Sequence, residues 1–338
     1  MTSAPVFGDS VAGCLLGGAV GDALGAVVEF ASLDEIRSRY GPGGLSDFPA
    51  GGGRITDDTQ MTLFTAEALI RARRRYEVRR IDHAEDELWW AYRRWLATQG
   101  EGPSGPDGDD GLVEEPVLRH RRAPGNTCLS ALVGNEPGFV DQPVNDSKGC
   151  GGVMRVAPVG LVALRPSGLG IASAALTHGH PSGYLAAGAA AAIISRLRAG
   201  QRLRPAVEAA IDAVSAWEGH EETVAALQAA CRLADREPVP TPEAVETLGQ
   251  GWVAEEALAI AVYCALTGGT FAAAVLAAVN HSGDSDSTGA ITGNLLGAAG
   301  GRSAVPEGWV AAVSERAVVE QVAGDLSACF APTSGSSP

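Results

Sequence analysis

The chain lacks features that several protein classes require. It contains no run of about 18 apolar residues, so a membrane-spanning helix is not expected. Its six cysteines are scattered and form no C-x-x-C pair, which argues against a zinc–thiolate cluster. Several of them lie in apolar helical patterns, as reduced and buried thiols do. We therefore expect a cytoplasmic protein that does not act at a membrane.

Basic residues are also scarce. The 338 residues include 25 Lys and Arg against 40 Asp and Glu, which gives a net charge of −15. The densest basic run, at residues 71–75, is soon followed by acidic residues. Because a nucleic-acid-binding protein presents a basic surface, nucleic acid is not an expected partner.

Glycine, in contrast, is abundant. The chain has 44 glycines, well above the usual share of about 7%, but they lack the three-residue period of collagen. Glycine recurs at every fourth position in two places, from Gly13 to Gly25 and from Gly289 to Gly297. Small residues at this spacing allow helices to approach closely. We therefore predict tight helix packing through both segments.

Most of the chain shows the spacing of apolar residues that is typical of α-helices, and no run alternates as a β-strand does. Ser10 and Thr56 are predicted to cap the first two helices. Further helices are predicted at residues 85–96, 185–197, 206–217, 223–233, 255–266, 271–279, 288–299 and 309–322. Irregular loops are predicted at residues 99–111 and 124–152. We expect one all-α domain over residues 8–331, followed by a flexible tail at 332–338.

Two acidic motifs stand at predicted helix starts. Residues 55–60 read Ile-Thr-Asp-Asp-Thr-Gln, and residues 280–289 read Asn-His-Ser-Gly-Asp-Ser-Asp-Ser-Thr-Gly. Each motif alone is readily interpreted as a helix cap with acids that complement the helix dipole. If the fold joins them, four carboxylates meet and would repel one another unless cations lie between them. Oxygen ligands of this kind suit Mg²⁺ or Mn²⁺ in a two-metal site.

Three familiar motifs of metal-binding proteins do not match. An EF-hand loop that begins at Asp284 needs Glu at its twelfth position, where Leu295 stands. The chain has no His-Asp dipeptide of the phosphohydrolase type. The acids at 57 and 58 are not followed by the third Asp of an isoprenoid synthase.

A glycine-rich segment and a histidine pair are further candidates for ligand binding. Residues 147–155 place three glycines within four positions, so their N–H groups could close on a phosphate, although a tight turn before a helix is an equally good interpretation. His178 and His180 could bind a metal or contact a ligand. Pro181 is predicted to begin a helix.

Two acids are placed within an apolar segment that is predicted to be helical. These are Asp22 and Glu29. A buried carboxylate needs a partner, and a metal ion or a ligand hydroxyl would serve.

Taken in order, these motifs resemble the ADP-ribosylglycohydrolase family, which includes dinitrogenase-reductase-activating glycohydrolases and ADP-ribosyl-acceptor hydrolases. Five blocks that span nearly the whole chain carry the resemblance: 17–30 (GxxxGDALGAxxEF), 55–63 (ITDDTQMTL), 149–161 (GCGGVMRVAPVGL), 177–189 (THGHPSGYLAAGA) and 283–298 (GDSDSTGAITGNLLGA). The resemblance implies a compact all-α domain, which agrees with the helical pattern.

The resemblance also implies a binuclear metal site and a ligand-binding loop. The implied ligands of two Mg²⁺ or Mn²⁺ ions are Thr56, Asp57, Asp58, Asp284, Asp286 and Ser287. The implied contacts of the diphosphate and proximal ribose are Ser147, Lys148, Gly149, Cys150, Gly151 and Gly152, with Met154, Arg155 and His178 nearby. The expected catalytic carboxylates are Asp57, Asp58 and Asp286, with Glu29 as the alternative that positions water.

The implied reaction is hydrolysis of the glycosidic bond at the distal ribose of an ADP-ribosylated side chain. We expect ADP-ribosyl-arginine, because the 17–30 and 177–189 blocks resemble arginine-directed members. ADP-ribosyl-serine and O-acetyl-ADP-ribose are alternatives. A non-catalytic ADP-ribose-binding or immunity protein is the rival from another class, but every implied metal position carries a usable oxygen. The expected partners are ADP-ribosylated proteins or ADP-ribose conjugates, and the protein is expected to be a monomer.

Overall fold

The computed structural model describes residues 5–80, 84–102 and 110–331. Within these ranges it contains sixteen α-helices and no β-strand, so the predicted all-α fold is confirmed. The helices are α1 (Phe7–Gly25), α2 (Leu33–Tyr40), α3 (Asp57–Arg79), α4 (Ala84–Thr98), α5 (Asn126–Val133), α6 (Ala157–Val162), α7 (Pro166–Ala175), α8 (Pro181–Arg198), α9 (Leu203–Val214), α10 (Glu221–Arg236), α11 (Pro242–Glu246), α12 (Ala254–Thr267), α13 (Phe271–Val279), α14 (Ser285–Gly300), α15 (Glu307–Ala312) and α16 (Arg316–Phe330). None of the helices described is long and apolar enough to cross a membrane.

Helices α1 and α14 form the centre of the molecule and pack on each other along their glycines. Facing pairs include Gly17 with Gly293 and Gly21 with Gly289, so the two helices are antiparallel. A Cβ atom built on any of these four glycines would lie under 3.0 Å from the facing backbone. The predicted close packing is therefore present, and it sets the end of α1 beside the start of α14.

Several helix boundaries differ from the prediction. Helix α1 begins at Phe7, and Ser10 lies buried within it rather than at its cap. The predicted helix at 309–322 is divided into α15 and α16, because Val313 leaves the helix to pair with Gly53. The predicted loop at 124–152 contains α5.

One predicted loop and the predicted tail fall partly or wholly outside the residues that the structure describes. Of the loop at 99–111, residues 103–109 are not described, and a short 3-10 helix begins at Gly111. The predicted tail at 332–338 also lies outside the described residues. The domain bounds at 8 and 331 remain predictions.

Candidate metal and active site

The end of α1 is joined to the start of α3 by a buried carboxylate. Asp22 has no exposed surface and accepts hydrogen bonds from the Thr56 N–H at 3.0 Å, the Thr56 hydroxyl at 2.8 Å and the Thr59 N–H at 3.1 Å. Burial, and next the charge of Asp286, raise the pKa of Asp22 to about 7. The partner of this acid is thus a helix N-terminus, whose free N–H groups need acceptors.

The same contacts hold the first acidic motif in place. Thr56 is the N-cap of α3, as predicted, and its hydroxyl accepts a hydrogen bond from the Asp58 N–H at 3.3 Å. The next two residues, Asp57 and Asp58, are each only 3% exposed. Asp57 Oδ2 accepts a hydrogen bond from the Gly125 N–H at 3.3 Å.

The second acidic motif reaches the same place from the start of α14. One carboxylate oxygen each of Glu29, Asp284 and Asp286 lies within 4.8 Å of the other two. Glu29 follows α1 in a turn and is half-buried, so it is not within that helix as its apolar surroundings in the sequence had indicated. The ends of α1, α3 and α14 therefore bring together five acids, which we call the carboxylate cluster: Glu29, Asp57, Asp58, Asp284 and Asp286.

The electrostatics of the carboxylate cluster show that the acids are close together and shielded from water. Burial, followed by the charge of Asp286, raises the pKa of Asp57, Asp58 and Asp284 well above the ordinary value. The same two causes raise the pKa of Glu29 to about 9. Among the described residues no Lys or Arg forms a salt bridge with these acids. Buried carboxylates at neutral pH therefore either hold protons or need another source of positive charge.

Divalent cations fit this need. Asp58 Oδ1 is buried and has no hydrogen-bond partner among the described residues, so it can serve as a ligand atom. The Thr56 hydroxyl lies 3.5 Å from Asp58 Oδ2, and the Ser287 hydroxyl lies 3.5 Å from the Cys150 thiol that contacts Asp284. Together with the acids they offer hard oxygen donors of the kind that Mg²⁺ and Mn²⁺ prefer. The carboxylate cluster is therefore a candidate site for divalent cations.

The raised pKa values predict how the metal-free protein responds to pH. The folded chain holds a proton on Glu29 up to about pH 9, whereas the unfolded chain releases it near the ordinary value of 4.5. The folded state thus binds more protons, and its free energy of unfolding should fall as the pH rises from about 7 to about 8 in a chelator. Thermal melts in that range test this. The variant Glu29→Gln should show a shallower slope, and rising stability with pH would contradict the prediction.

The glycine-rich loop at 147–152 lies directly against the carboxylate cluster. The Cys150 thiol donates a hydrogen bond to Asp284 Oδ2 at 2.8 Å. The loop is held from the other side by backbone pairing, in which the Cys150 N–H donates to the Trp252 carbonyl at 3.2 Å and the Ala254 N–H donates to the Lys148 carbonyl at 2.9 Å. The loop therefore borders the cluster in a defined position.

Individual side chains of the loop face different ways. Ser147 Oγ lies 3.0 Å from Thr127 Oγ1. Lys148 Nζ forms ion pairs with Glu222 at 3.0 Å and Glu255 at 3.1 Å, and these hydrogen bonds raise its pKa. Lys148 thus ties the loop to α10 and α12 while its side chain stays 38% exposed.

His178 lies beneath the glycines of the loop. A Cβ atom built on Gly151 would lie 2.7 Å from Cys128 Sγ and 3.0 Å from His178 Cε1, so a larger residue could not pack there. Gly152 is similarly close to Ala174. Burial, and next the charge of Arg155, lower the pKa of His178 to about 3, so its imidazole is neutral at physiological pH. His180, in contrast, caps α8, because its Nδ1 accepts a hydrogen bond from the Ser182 N–H at the start of that helix.

Arg155 has no exposed surface. Its guanidinium donates to the Ser173 carbonyl at 3.0 Å and to Thr177 Oγ1 at 2.7 Å, and it stacks 4.0 Å from the centre of the Tyr92 ring. Thr177 Oγ1 in turn lies 2.8 Å from His178 Nδ1. Arg155 is therefore linked to His178 through Thr177. Its neighbour Met154 is also buried, with its sulfur 3.9 Å from the Ser287 hydroxyl.

A pair of exposed aromatic rings, which the sequence did not predict, lies at the edge of the cluster. Phe30 follows Glu29 directly, is 70% exposed, and has a positive φ of 64° that is uncommon for a bulky residue. Its ring stacks on that of Trp252 with centroids 5.5 Å apart, and Trp252 is 39% exposed. Phe30 lay within a recognised block, but nothing in the sequence near Trp252 indicated this pairing.

Comparisons with known proteins agree on one family. A family model described as ADP-ribosylglycohydrolase matches residues 3–334. A protein of Rhodospirillum rubrum named ADP-ribosyl-[dinitrogen reductase] glycohydrolase is 28% identical, and the match covers 94% of this chain and 96% of that protein. A Bos taurus protein named ADP-ribosylhydrolase ARH3 is 27% identical over 88% of this chain and 86% of its own. A solved structure titled "ADP-ribosylglycohydrolase-related protein complex" has a TM-score of 0.60 at 27% identity and covers 96% of this chain and 99% of its own.

Proposed function

The chain belongs to the ADP-ribosylglycohydrolase family and is a glycosidic-bond hydrolase of ADP-ribose conjugates, and we propose that it releases ADP-ribose from modified arginine side chains in a divalent-metal-dependent reaction. The observation that carries the proposal is the carboxylate cluster, in which buried acids without a cationic partner among the described residues meet at the ends of three helices.

The proposed ligands of two divalent cations, Mg²⁺ or Mn²⁺, are the six residues at the two helix starts: Thr56, Asp57, Asp58, Asp284, Asp286 and Ser287. Such ions, when bound, neutralise the acids, orient ribose hydroxyls and lower the pKa of a bound water. The chain's own contribution is to hold these oxygens in place before any ligand arrives. The Gly125 N–H fixes Asp57, and the Asp286 carboxylate accepts the Ser287 N–H at 3.0 Å.

The glycine-rich loop is proposed to bind the diphosphate and the proximal ribose. A protein with a net charge of −15 does not attract an anionic ligand through its overall field, so local donors must do so. Backbone N–H groups of the loop and the exposed part of Lys148 are such donors. Neutral His178 supports the loop from below, and Arg155 positions His178 through Thr177.

A carboxylate is proposed to accept the proton of the attacking water as the bond to the distal ribose breaks. Asp57, Asp58 and Asp286 are candidates because each is buried and lies in the first turn of α3 or α14. Glu29 is the half-buried member of the cluster, so solvent reaches it more readily than the others. We propose that Glu29 positions the water.

The preference for arginine is supported by the aromatic pair beside Glu29. A guanidinium group stacks on aromatic faces and pairs with carboxylates, whereas a modified serine offers neither interaction. Phe30 and Trp252 present such faces at the edge of the cluster, next to Glu29. The 17–30 and 177–189 blocks, which resemble those of arginine-directed members, also support this preference.

The substrate assignment predicts faster release of ADP-ribose from a modified arginine than from a modified serine or from O-acetyl-ADP-ribose, with Mg²⁺ or Mn²⁺ present. Trp252→Ala should raise the KM for the arginine conjugate about tenfold, because a cation–π contact contributes about 0.5–2 kcal/mol. Trp252→Phe keeps an aromatic face and should restore most of the affinity. Side-by-side kinetics with all three conjugates measure this.

The outcomes separate the alternatives. A faster serine or O-acetyl reaction would replace arginine as the substrate while leaving the hydrolase intact. Binding of ADP-ribose without turnover of any conjugate would identify a non-catalytic binding protein. An equal effect of Trp252→Ala on the serine conjugate would remove the proposed role of the aromatic pair.

A further inference from the structure

A cavity of about 410 Å³ lies at the surface near the start of α3, and none of its lining residues belongs to the carboxylate cluster. Two basic side chains border it, Arg54 and His120, and both are exposed. Its other lining residues are Pro116, Val117, Ser314 and Glu315. Because the protein carries a net charge of −15, this is a local concentration of basic groups on an acidic molecule.

The one acid in the cavity wall does not neutralise the cations around it. Glu315 is buried, with Oε1 3.3 Å from Arg54 Nε and Oε2 accepting the Ile55 N–H at 3.2 Å. The terminal nitrogens of Arg54 make no hydrogen bond to any described residue, and the Arg122 side chain has no partner in the same part of the chain. Burial, and next the charge of Arg54, lower the pKa of Arg122, so the two guanidinium groups lie in each other's field. We call Arg54, His120 and Arg122 the basic site.

The backbone around the basic site continues directly into the carboxylate cluster. The Asp57 N–H donates to the Arg122 carbonyl at 3.0 Å, and the N–H of exposed Gly125 donates to Asp57 Oδ2 at 3.3 Å. Arg54 precedes Asp57 by three residues, so their Cα atoms are at most about 11 Å apart. A few residues of extended chain therefore cover the distance from the cluster to the basic site.

We propose that Arg54, His120 and Arg122 bind acidic side chains of the ADP-ribosylated protein, on the segment that flanks the modified residue. The inference rests on the proposed function, which places that modified residue at the carboxylate cluster. Guanidinium groups pair with carboxylates through charge-assisted hydrogen bonds, and the nitrogens of Arg54 and Arg122 that have no partner among the described residues supply the donors. The basic site thus selects protein targets whose modified residue stands in an acidic local sequence.

The test compares two peptides that carry ADP-ribosyl-arginine, one with Glu and one with Ser at positions about three to five residues away on both sides. With Mg²⁺ or Mn²⁺, the wild type should have a KM about threefold to tenfold lower for the acidic peptide, because each exposed charge pair contributes modestly and more than one can form. Arg122→Gln should reduce this preference, and Arg122→Glu should abolish or reverse it. The matched control is Arg202→Glu, which reverses a charge at an exposed position before α9 and should keep the preference.

A binding measurement decides the same question without turnover. Fluorescence anisotropy of the labelled peptides at low salt should give a lower Kd for the acidic peptide, and about 0.5 M NaCl should remove the difference because salt screens exposed charges. Equal KM and Kd values for the two peptides, or a preference that Arg122→Glu leaves unchanged or Arg202→Glu removes equally, would overturn the proposal. Tighter binding of the acidic peptide with no release of ADP-ribose from either peptide would instead count against the proposed function alone.

Discussion

The variant Asp286→Asn is expected to lose hydrolysis by about a thousandfold or more, because Asp286 is both a proposed ligand and a candidate proton acceptor. No other acid influences the cluster as widely. The charge of Asp286 raises the pKa of every other acid at the junction of the three helices: Asp22, Glu29, Asp57, Asp58 and Asp284. Asp57→Ala is expected to lose divalent-dependent activity in the same way.

Although Asp286→Asn should lower activity, it should raise the thermal stability of the metal-free protein. Asp286 repels its neighbours when no cation is present, so Asp286→Asn should melt at a higher temperature than the wild type in EDTA at about pH 8. Added Mg²⁺ or Mn²⁺ should raise the melting temperature of the wild type and have little effect on the variant. Kinetics and melts with and without metal measure both effects.

A matched control variant separates the specific effect of Asp286→Asn from the general effect of removing one negative charge. Asp212 lies exposed on α9, and Asp212→Asn should leave activity and both melting temperatures unchanged. Full activity of wild-type protein in EDTA, or of Asp286→Asn with metal, would remove the divalent-metal site. A metal-free Asp286→Asn that is less stable than the wild type would show that the acid stabilises the cluster instead of straining it.

The variant Gly21→Ala is expected to cause a large loss of stability from a single added methyl group. Its Cβ would lie under 3.0 Å from the backbone of Gly289 and Ala290, which cannot move aside as a flexible side chain can. Overpacking of this kind costs about 1–3 kcal/mol or more. Any separation of α1 from α14 also moves Glu29, and the start of α3 that Asp22 holds, away from Asp284 and Asp286, so stabilisation by divalent metal should fall as well.

The control for Gly21 is another helical glycine. Gly324 lies within α16, and a Cβ atom built there meets nothing within 4 Å. Gly324→Ala should be neutral or stabilising by about 0.5–1 kcal/mol, because alanine restricts the unfolded chain more than glycine does. Urea unfolding of both variants measures the difference. Equal stability of Gly21→Ala and Gly324→Ala would contradict the role of the α1–α14 contact.

Local patterns in the sequence were sufficient to predict much of this architecture. Thr56 caps α3 because an N-cap depends on residues within one turn. The four-residue glycine spacing predicted close packing because side-chain size along one helix face limits how near another helix can come. The Ser10 cap was wrong, since α1 begins earlier, at Phe7, and the serine is buried within the helix.

Contacts between distant parts of the chain were not predictable in the same way. Phe30 and Trp252 meet because the fold brings the segment after α1 beside the segment before α12. The burial of Arg155 depends on Tyr92 and Thr177, which come from other elements. A break in a helix, such as that at Val313, depends on pairing with Gly53 far away in the sequence.

The sequence by itself determined the residue types of the site: two acidic motifs at helix starts, a glycine-rich loop and the glycines that let α1 and α14 touch. These are encoded locally, by spacing and by the chemistry of each side chain. Only the tertiary structure decided that Asp22 serves a helix N-terminus, that Glu29 joins Asp284 and Asp286, and that the Cys150 thiol donates a hydrogen bond to Asp284. Those roles depend on distances between residues tens to hundreds of positions apart, which packing sets and spacing alone does not.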